Sequence, residues 1–168
     1  GHSELGATMA AQRLTKLRLS SRAVAMVGKM VEHHLRPGNM SPGAELPTPR
    51  AIHRYFRDVD EVAVDTLYLA LADHLAARGP DLSMEQWAAH ARMIGHILEA
   101  GSTQPESTGP KRLITGHDLI EHLGLDPGPL VGRILEAVIE AQALGEIHNR
   151  GEALTLAERT LPGLRARE

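Results

Sequence analysis

The side chains best suited to chemistry in this sequence are arginines that could contact phosphate groups. Residues 1–60 carry nine Lys and Arg against five Asp and Glu, a net charge of +4, whereas the whole chain carries −3. A guanidinium group can bind a phosphate through two parallel hydrogen bonds. Arg50, Arg54 and Arg57 are spaced four and three residues apart, so they would line one face of a helix. This basic region fits contact with RNA or nucleotides, and a lopsided solvated surface is the alternative.

A second candidate for chemistry is the segment Asp58-Val59-Asp60, whose D-x-D form some phosphoryl-transfer enzymes use to hold two Mg²⁺ ions. Here it precedes a helical pattern and has no Gly-Ser turn before it, so we interpret it as a helix cap. The chain also has no Walker A loop, G-x-S-x-G, H-E-x-x-H or Rossmann glycine pattern. We therefore expect no nucleotide transfer by this chain alone.

The segment GLDPGPLVG, residues 124–132, predicts a tight turn between two helices. Gly124 would end the first helix in a left-handed conformation, and Pro129 would set the first turn of the next. Gly132 would allow a close backbone approach. The free N–H groups of a helix N-terminus attract anions, so this turn could bind an RNA phosphate. A helical hairpin whose glycines serve only packing is the equally weighted alternative.

The composition predicts an all-α protein. Hydrophobic residues make up 42% of the chain and aromatic residues only 2%, so the core must consist of Leu, Ala, Val, Ile and Met. The absence of cysteine excludes disulfides, thiolate metal sites and a cysteine nucleophile. Without an apolar run of membrane-spanning length or a signal peptide, we expect a cytoplasmic protein with no membrane partner.

Periodicity and capping signals predict two regions that position these residues. The polar segment 101–112 reads as a linker between a helical body, residues 1–100, and a small helical tail, residues 113–168. We expect an extended segment at 146–148 and frayed residues from 161 onward. Helices are predicted at about 3–18, 20–35, 50–57, 60–78, 83–100, 116–123, 129–144 and 152–159.

Three segments resemble the bacterial CCA-adding tRNA nucleotidyltransferases and the related poly(A) polymerases. They are HHLRP at 33–37, LALAD at 69–73 and the stretch from LITGHDLIEHLGLDPGP to EAQALGEI, and the resemblance spans roughly residues 2–158. It implies an HD-type helical body, truncated at its N-terminus, followed by the tail. The implied function is to bind tRNA and position it for 3′-end nucleotide addition by a nucleotidyltransferase head that this chain does not contain.

The resemblance also implies which residues contact RNA. In the family, the helical body and the tail dock the tRNA while the head adds nucleotides. Carried onto this chain, the contacts in the body come from the arginines at positions 36, 50, 54 and 57. Those in the tail come from Lys111, Arg112, Gly128, Gly132 and Arg133.

A metal site is a further implication of the HD-type resemblance. GHSELGA at 1–7, HHLRP and LALAD resemble segments of the HD-type domain of these nucleotidyltransferases. In HD phosphohydrolases, His and Asp side chains from separate helices hold one or two divalent metals, which implies His2, His33, His34 and Asp73 as ligands here. Imidazoles and carboxylates suit a divalent ion such as Mg, Mn or Ni that polarises phosphate. The His-Asp pair that names the family is absent from this chain, so we expect an incomplete, vestigial site. A structural partner for Asp73, such as His34 or Arg54, is the alternative.

Two other classes of function stay open at this stage. One is a metal-dependent HD phosphohydrolase domain that acts on small phosphoesters, which predicts stoichiometric bound metal. The other is a non-catalytic helical interaction module, which predicts an exposed apolar face.

Overall fold

The computed structural model describes residues 1–40, 45–102 and 112–165, and it shows helices without strands across those ranges. The all-α prediction is therefore confirmed. The chain forms two compact units, Gly1–Gln104 and Pro105–Glu168. Most of the predicted linker, including Lys111, lies outside the described residues. None of the described helices is long and apolar enough to span a membrane.

Within its described residues, the first unit contains five α-helices. Three of the connections between them contain single turns of 3₁₀-helix, at Pro37–Asn39, Asp60–Val62 and Gly79–Asp81. The α-helices are α1 His2–Lys16, α2 Ser21–His33, α3 Pro49–Val59, α4 Ala63–Arg78 and α5 Met84–Ser102.

Side-chain caps start three of these helices. The hydroxyl of Ser20 accepts a hydrogen bond from the Ala23 N–H at 3.2 Å, and that of Thr48 accepts from the Ala51 N–H at the same distance. Ser83 accepts more weakly from the Gln86 N–H, at 3.4 Å. Each cap satisfies one N–H group that has no partner within its own helix.

The predicted cap at Asp58 or Asp60 is wrong. Helix α3 continues to Val59, and the backbone then turns through Asp60, whose φ of 55° is unusual for a residue other than glycine. Helix α4 begins only at Ala63, and no side chain caps it. The Asp58 carboxylate is bound by arginine side chains instead, which leaves it unavailable as a cap.

The core of the first unit lies between α3, α4 and α5. Its buried members include Ile52 and Tyr55 from α3, Leu67 from α4, and Ile94 and Ile97 from α5. Helix α2 adds partly buried methionines to this cluster, whereas α1 contributes no buried residue and packs on α2. The hairpin that α1 forms with α2 is therefore the least anchored part of the unit.

The second unit contains α6 Gly116–Leu123, α7 Pro129–Ala143 and α8 Arg150–Arg165. Its buried cluster includes Leu119, Ile134 and Val138. The predicted short helix at 152–159 and the predicted frayed end from residue 161 are wrong. Helix α8 continues through Pro162 to Arg165. Leu161 and Leu164 pack against the core at helical spacing, and this packing outweighs the hydrogen bond that proline cannot donate.

Candidate nucleic-acid interface

Helix α3 presents its predicted arginines to solvent. Ile52, Tyr55 and Val59 are buried on one side of the helix, and Arg50, Arg54 and Arg57 are exposed on the other. The spacing argument thus gave the correct orientation. Three guanidinium groups on one helical face can follow a run of backbone phosphates.

A buried hydrogen bond fixes the junction that follows this helix. The Tyr55 hydroxyl donates to the Ala63 carbonyl at 2.7 Å, and the Thr66 hydroxyl donates to the Val62 carbonyl at 2.7 Å. Burial raises the pKa of Tyr55, so the phenol stays a neutral donor. The α3–α4 junction is therefore held by polar contacts inside the apolar core.

Two of the predicted phosphate ligands share one carboxylate. Arg36 Nη2 lies 2.6 Å from Asp58 Oδ2, and Arg57 Nε lies 2.7 Å from Asp58 Oδ1. Partial burial alone would raise the pKa of Asp58, but the hydrogen bonds from Arg57 and Arg36 lower this pKa below its usual range. The negative charge of Asp58 offsets part of the positive field around both guanidinium groups.

The turn between α6 and α7 has the predicted geometry. Gly124 adopts the left-handed conformation, with φ 62°, and the Leu125 N–H donates to the Ile120 carbonyl at 3.2 Å. Gly128 is the N-cap of α7, and Pro129 occupies its first turn. At Gly132 an added Cβ would meet no atom within 4 Å, so its open face packs against nothing in the described residues. This argues against a role in packing alone and leaves the exposed N-terminus of α7 approachable.

The remaining residues of the tail that were predicted to contact RNA differ in their exposure to solvent. Arg112 is exposed, Arg133 is half-buried on α7, and Lys111 lies outside the described residues. A cation that the sequence did not single out, Arg150, binds Asp118 with an Nη2–Oδ1 distance of 2.6 Å. The hydrogen bonds from Thr115 and the charge of Arg150 lower the pKa of Asp118, which therefore stays ionised as part of the α6 cap.

The four predicted metal ligands come together only in part. The rings of His2 and His34 lie edge to face, with centroids 6.0 Å apart. The Nδ1 of His34 donates to the Val31 carbonyl at 2.6 Å, so Nε2 is the ring nitrogen that could bind a metal ion. Within the described ranges no three His, Asp or Glu side chains are arranged to hold a metal ion. A vestigial site with fewer protein ligands stays a prediction.

The structure reveals a histidine pair that the sequence did not indicate. The rings of His74 on α4 and His90 on α5 stack with centroids 4.2 Å apart and an interplanar angle of 16°. Burial lowers the pKa of both imidazoles, and the charge of Asp73 partly opposes this shift. Asp73 therefore acts electrostatically on this pair. No spacing rule connects two histidines on separate helices, so only the packing of α4 on α5 shows the contact.

Comparison with known proteins gives consistent relatives for both units. Residues 109–157 match the protein family described as putative tRNA nucleotidyltransferase domain 2. The A-adding tRNA nucleotidyltransferase of Deinococcus radiodurans is 35% identical over 159 residues, which cover 95% of this chain and 35% of that protein. The CC-adding tRNA nucleotidyltransferase of Thermus thermophilus is 33% identical over 154 residues, or 91% of this chain and 32% of that protein.

Both units are helical in their described residues, and each exposes a surface that could contact phosphate: the arginines of α3 and the N-terminus of α7. The two relatives named above are both tRNA nucleotidyltransferases. The chain belongs to the bacterial tRNA nucleotidyltransferase family. It spans about a third of the length of the curated relatives it matches. No solved structure gave a significant match.

Proposed function

We propose that this chain binds tRNA and positions its 3′ end for nucleotide addition by a nucleotidyltransferase head domain. The observation that carries the proposal is the identity of 33–35% with A-adding and CC-adding tRNA nucleotidyltransferases over more than nine-tenths of the chain. Both units take part in this similarity, so the proposal assigns RNA contacts to both.

The exposed face of α3 supports a phosphate-binding role for the first unit. Arg50 and Arg54 lie on this face above a buried core, which fixes their spacing. Arg36 and Arg57 adjoin them and share Asp58, so we assign these two a weaker contribution. Each phosphate contact adds roughly 0.9 to the slope of log affinity against log salt concentration in a duplex.

The N-terminus of α7 supports an anchoring role for the second unit. Gly128 and Gly132 are exposed, and the first turn of the helix offers backbone N–H groups with the positive end of the helix dipole. Such a site can hold one phosphate without aromatic stacking. Arg112 supplies an exposed cation before α6.

The test measures tRNA binding by the 168-residue chain with and without Arg50→Gln and Arg54→Gln. Fluorescence anisotropy with a labelled tRNA transcript, at several salt concentrations, should give affinity reduced about 10-fold and a salt slope smaller by roughly 2. Arg92→Gln with Arg159→Gln is the matched control, because both residues are exposed and lie outside the proposed contacts.

Two outcomes would count against the proposal. If the unmodified chain binds tRNA no better than an unstructured RNA of equal length, the proposed function is wrong. If the α3 variant keeps both the affinity and the salt slope of the control, the assignment of these arginines is wrong. Incubation with labelled ATP or CTP should give no incorporation by this chain alone, since the described residues contain no group of carboxylates arranged to hold metal ions for phosphoryl transfer.

A further inference from the structure

The tip of the α1–α2 hairpin, residues 13–22, concentrates positive charge that none of the assignments above uses. Its sequence RLTKLRLSSR contains Arg13, Lys16, Arg18 and Arg22 and no acidic residue. The acidic residues of the two helices, Glu4 and Glu32, lie toward the opposite end of the hairpin, where a Cβ on Gly6 would come within 3.3 Å of Val31. The hairpin is therefore polarised along its length.

Three of these cations are available to a ligand. Arg13, Lys16 and Arg18 are exposed, and among the described residues none of the three makes an ion pair. Arg22 differs, since its Nη2 lies 2.9 Å from Glu61 Oε2. An unpaired cluster attracts polyanions more strongly than one neutralised by neighbouring carboxylates.

Arg18 occupies a backbone position that favours glycine. Its φ is 61°, immediately after α1. The Arg18 N–H bonds to the Thr15 carbonyl at 2.9 Å, and the Leu19 N–H bonds to the Leu14 carbonyl at 3.2 Å, which closes the helix in a left-handed turn. A side chain in this conformation is strained, and within the described residues the Arg18 side chain makes no hydrogen bond or ion pair that would offset the strain.

Favourable interaction with the helix dipole explains Arg13 and Lys16, which lie in the last turn of α1. It does not explain Arg18, which lies beyond the helix. We propose that the hairpin tip is a second surface of this chain for the phosphate backbone of folded RNA, with Arg13, Lys16 and Arg18 as its contacts. The identity of the ligand as RNA rests on the proposed function.

The position of the tip supports an RNA ligand that is shared with α3. The Arg22–Glu61 ion pair joins the start of α2 to the turn that directly follows α3. The tip therefore lies beside the end of the helix that carries Arg54 and Arg57. One extended polyanion can contact both surfaces, and two contacts by one molecule increase affinity through effective concentration.

An anionic membrane is the other ligand that this charge could attract. Leu17 and Leu19 beside the cations are 57% and 42% exposed. Helices that lie in a membrane interface commonly insert aromatic side chains as well, and residues 1–54 contain no Phe, Tyr or Trp. The composition of the hairpin therefore favours RNA.

The decisive experiment compares tRNA binding by a tip variant and a control variant of the whole 168-residue chain. The tip variant carries Arg13→Gln, Lys16→Gln and Arg18→Gly, and the control carries Arg92→Gln, Arg159→Gln and Arg165→Gln, with the same net charge. We expect the tip variant to lose about 10-fold in affinity at 0.1 M salt, with a salt slope smaller by roughly 2 to 3. The control should change by less than about 2-fold, because scattered exposed charges contribute little at this ionic strength.

The single variant Arg18→Gly separates binding from folding. Glycine relieves the strained conformation, so the melting temperature should rise by a few degrees while tRNA affinity falls. A folding defect would lower both. Arg18→Lys keeps the charge and should restore most of the affinity.

Each remaining outcome has a distinct meaning. If the α3 variant loses affinity and the tip variant binds like its control, the tip inference is wrong and the proposed function stands. If the unmodified chain does not bind tRNA, both are wrong. If tip substitutions abolish binding to phosphatidylserine vesicles and leave tRNA binding unchanged, the surface serves a membrane and the RNA assignment is overturned.

Discussion

The exposed face of α3 and the tip of the α1–α2 hairpin are both basic, but the protein uses their charges differently. Helix α3 lies over Ile52 and Tyr55 in the core, and two arginines at its C-terminal end share Asp58. The hairpin tip follows a helix with no buried residue, and three of its cations have no ion pair in the described structure. Regular spacing therefore predicts the direction in which charges point, whereas their availability depends on partners distant in sequence.

This difference suggests a division of labour in binding an extended polyanion. A rigid face with fixed spacing sets the register of phosphate contacts, while a more weakly anchored cluster of free cations contributes long-range attraction. Both surfaces are expected to lose affinity as salt rises. Each substitution described below changes the rigidity of one surface or the neutralisation of its positive charge, and leaves the other surface intact.

The largest expected effect comes from removing the buried hydrogen bond between α3 and the start of α4. Tyr55→Phe removes the hydrogen bond to the Ala63 carbonyl and should lower the free energy of unfolding by about 1–2 kcal/mol, because a buried acceptor loses its phenol donor. Urea denaturation followed by circular dichroism measures this change. Tyr68→Phe is the matched control on α4, since Tyr68 is 59% exposed, and it should change stability by less than about 0.5 kcal/mol. Equal effects of the two substitutions would contradict a structural role for the Tyr55 hydroxyl.

The second prediction concerns Asp58, whose carboxylate neutralises part of the positive charge of the α3 surface. Asp58→Asn removes the carboxylate charge that lies against Arg36 and Arg57, so tRNA affinity should rise about 3- to 10-fold and the salt slope should increase by roughly 1 to 2. Asp65→Asn is an exposed carboxylate control on α4 that changes the net charge equally. If both substitutions strengthen binding alike, the gain reflects overall charge, and the local pairing with Asp58 has no special role.

The same carboxylate predicts a pH dependence of stability. Because the folded protein lowers the pKa of Asp58 below its ordinary value of 3.8, its ion pairs stabilise the fold above about pH 4 and this contribution is lost as pH falls through the folded pKa. The side chain is 35% exposed, so solvent screening limits the effect to less than about 1 kcal/mol. The difference in unfolding free energy between wild type and Asp58→Asn should therefore shrink between pH 5 and pH 3. A constant difference over this range would show that the ion pairs do not stabilise the fold.

Local sequence signals predicted much of the fold. The left-handed Gly124 and the position of Pro129 in the first turn of α7 follow from short-range rules, and both appear in the structure. The wrong prediction of a cap at Asp58 has a cause outside the local sequence. Asp58 looked like a cap because short acidic residues before a helix usually are, but Arg36, 22 residues earlier, binds its carboxylate.

The candidate site was less predictable, because charge pairing and ring stacking depend on tertiary contacts. Motif similarity indicated the family, and spacing placed the α3 arginines on one face. The His74–His90 stack joins residues on different helices, and only the packing of α4 against α5 aligns the rings. The absence of acidic residues at 13–22 is visible in the sequence. The strain at Arg18 is visible only in the structure, because it depends on the backbone angle φ.

The smallest expected effect tests whether the tip can gain a fourth free cation. Glu61→Gln releases Arg22 from its ion pair, so tRNA affinity should rise about 2-fold, less than for Asp58→Asn, because Glu61 pairs with one guanidinium group and Asp58 with two. Stability should change by less than about 0.5 kcal/mol, since the two side chains are 75% and 53% exposed. Combining Glu61→Gln with the tip variant decides how the gain arises. If Arg22 acts together with Arg13, Lys16 and Arg18 on one bound RNA, the 2-fold gain disappears in the combined variant, whereas an unchanged gain would show that Arg22 belongs to the α3 surface.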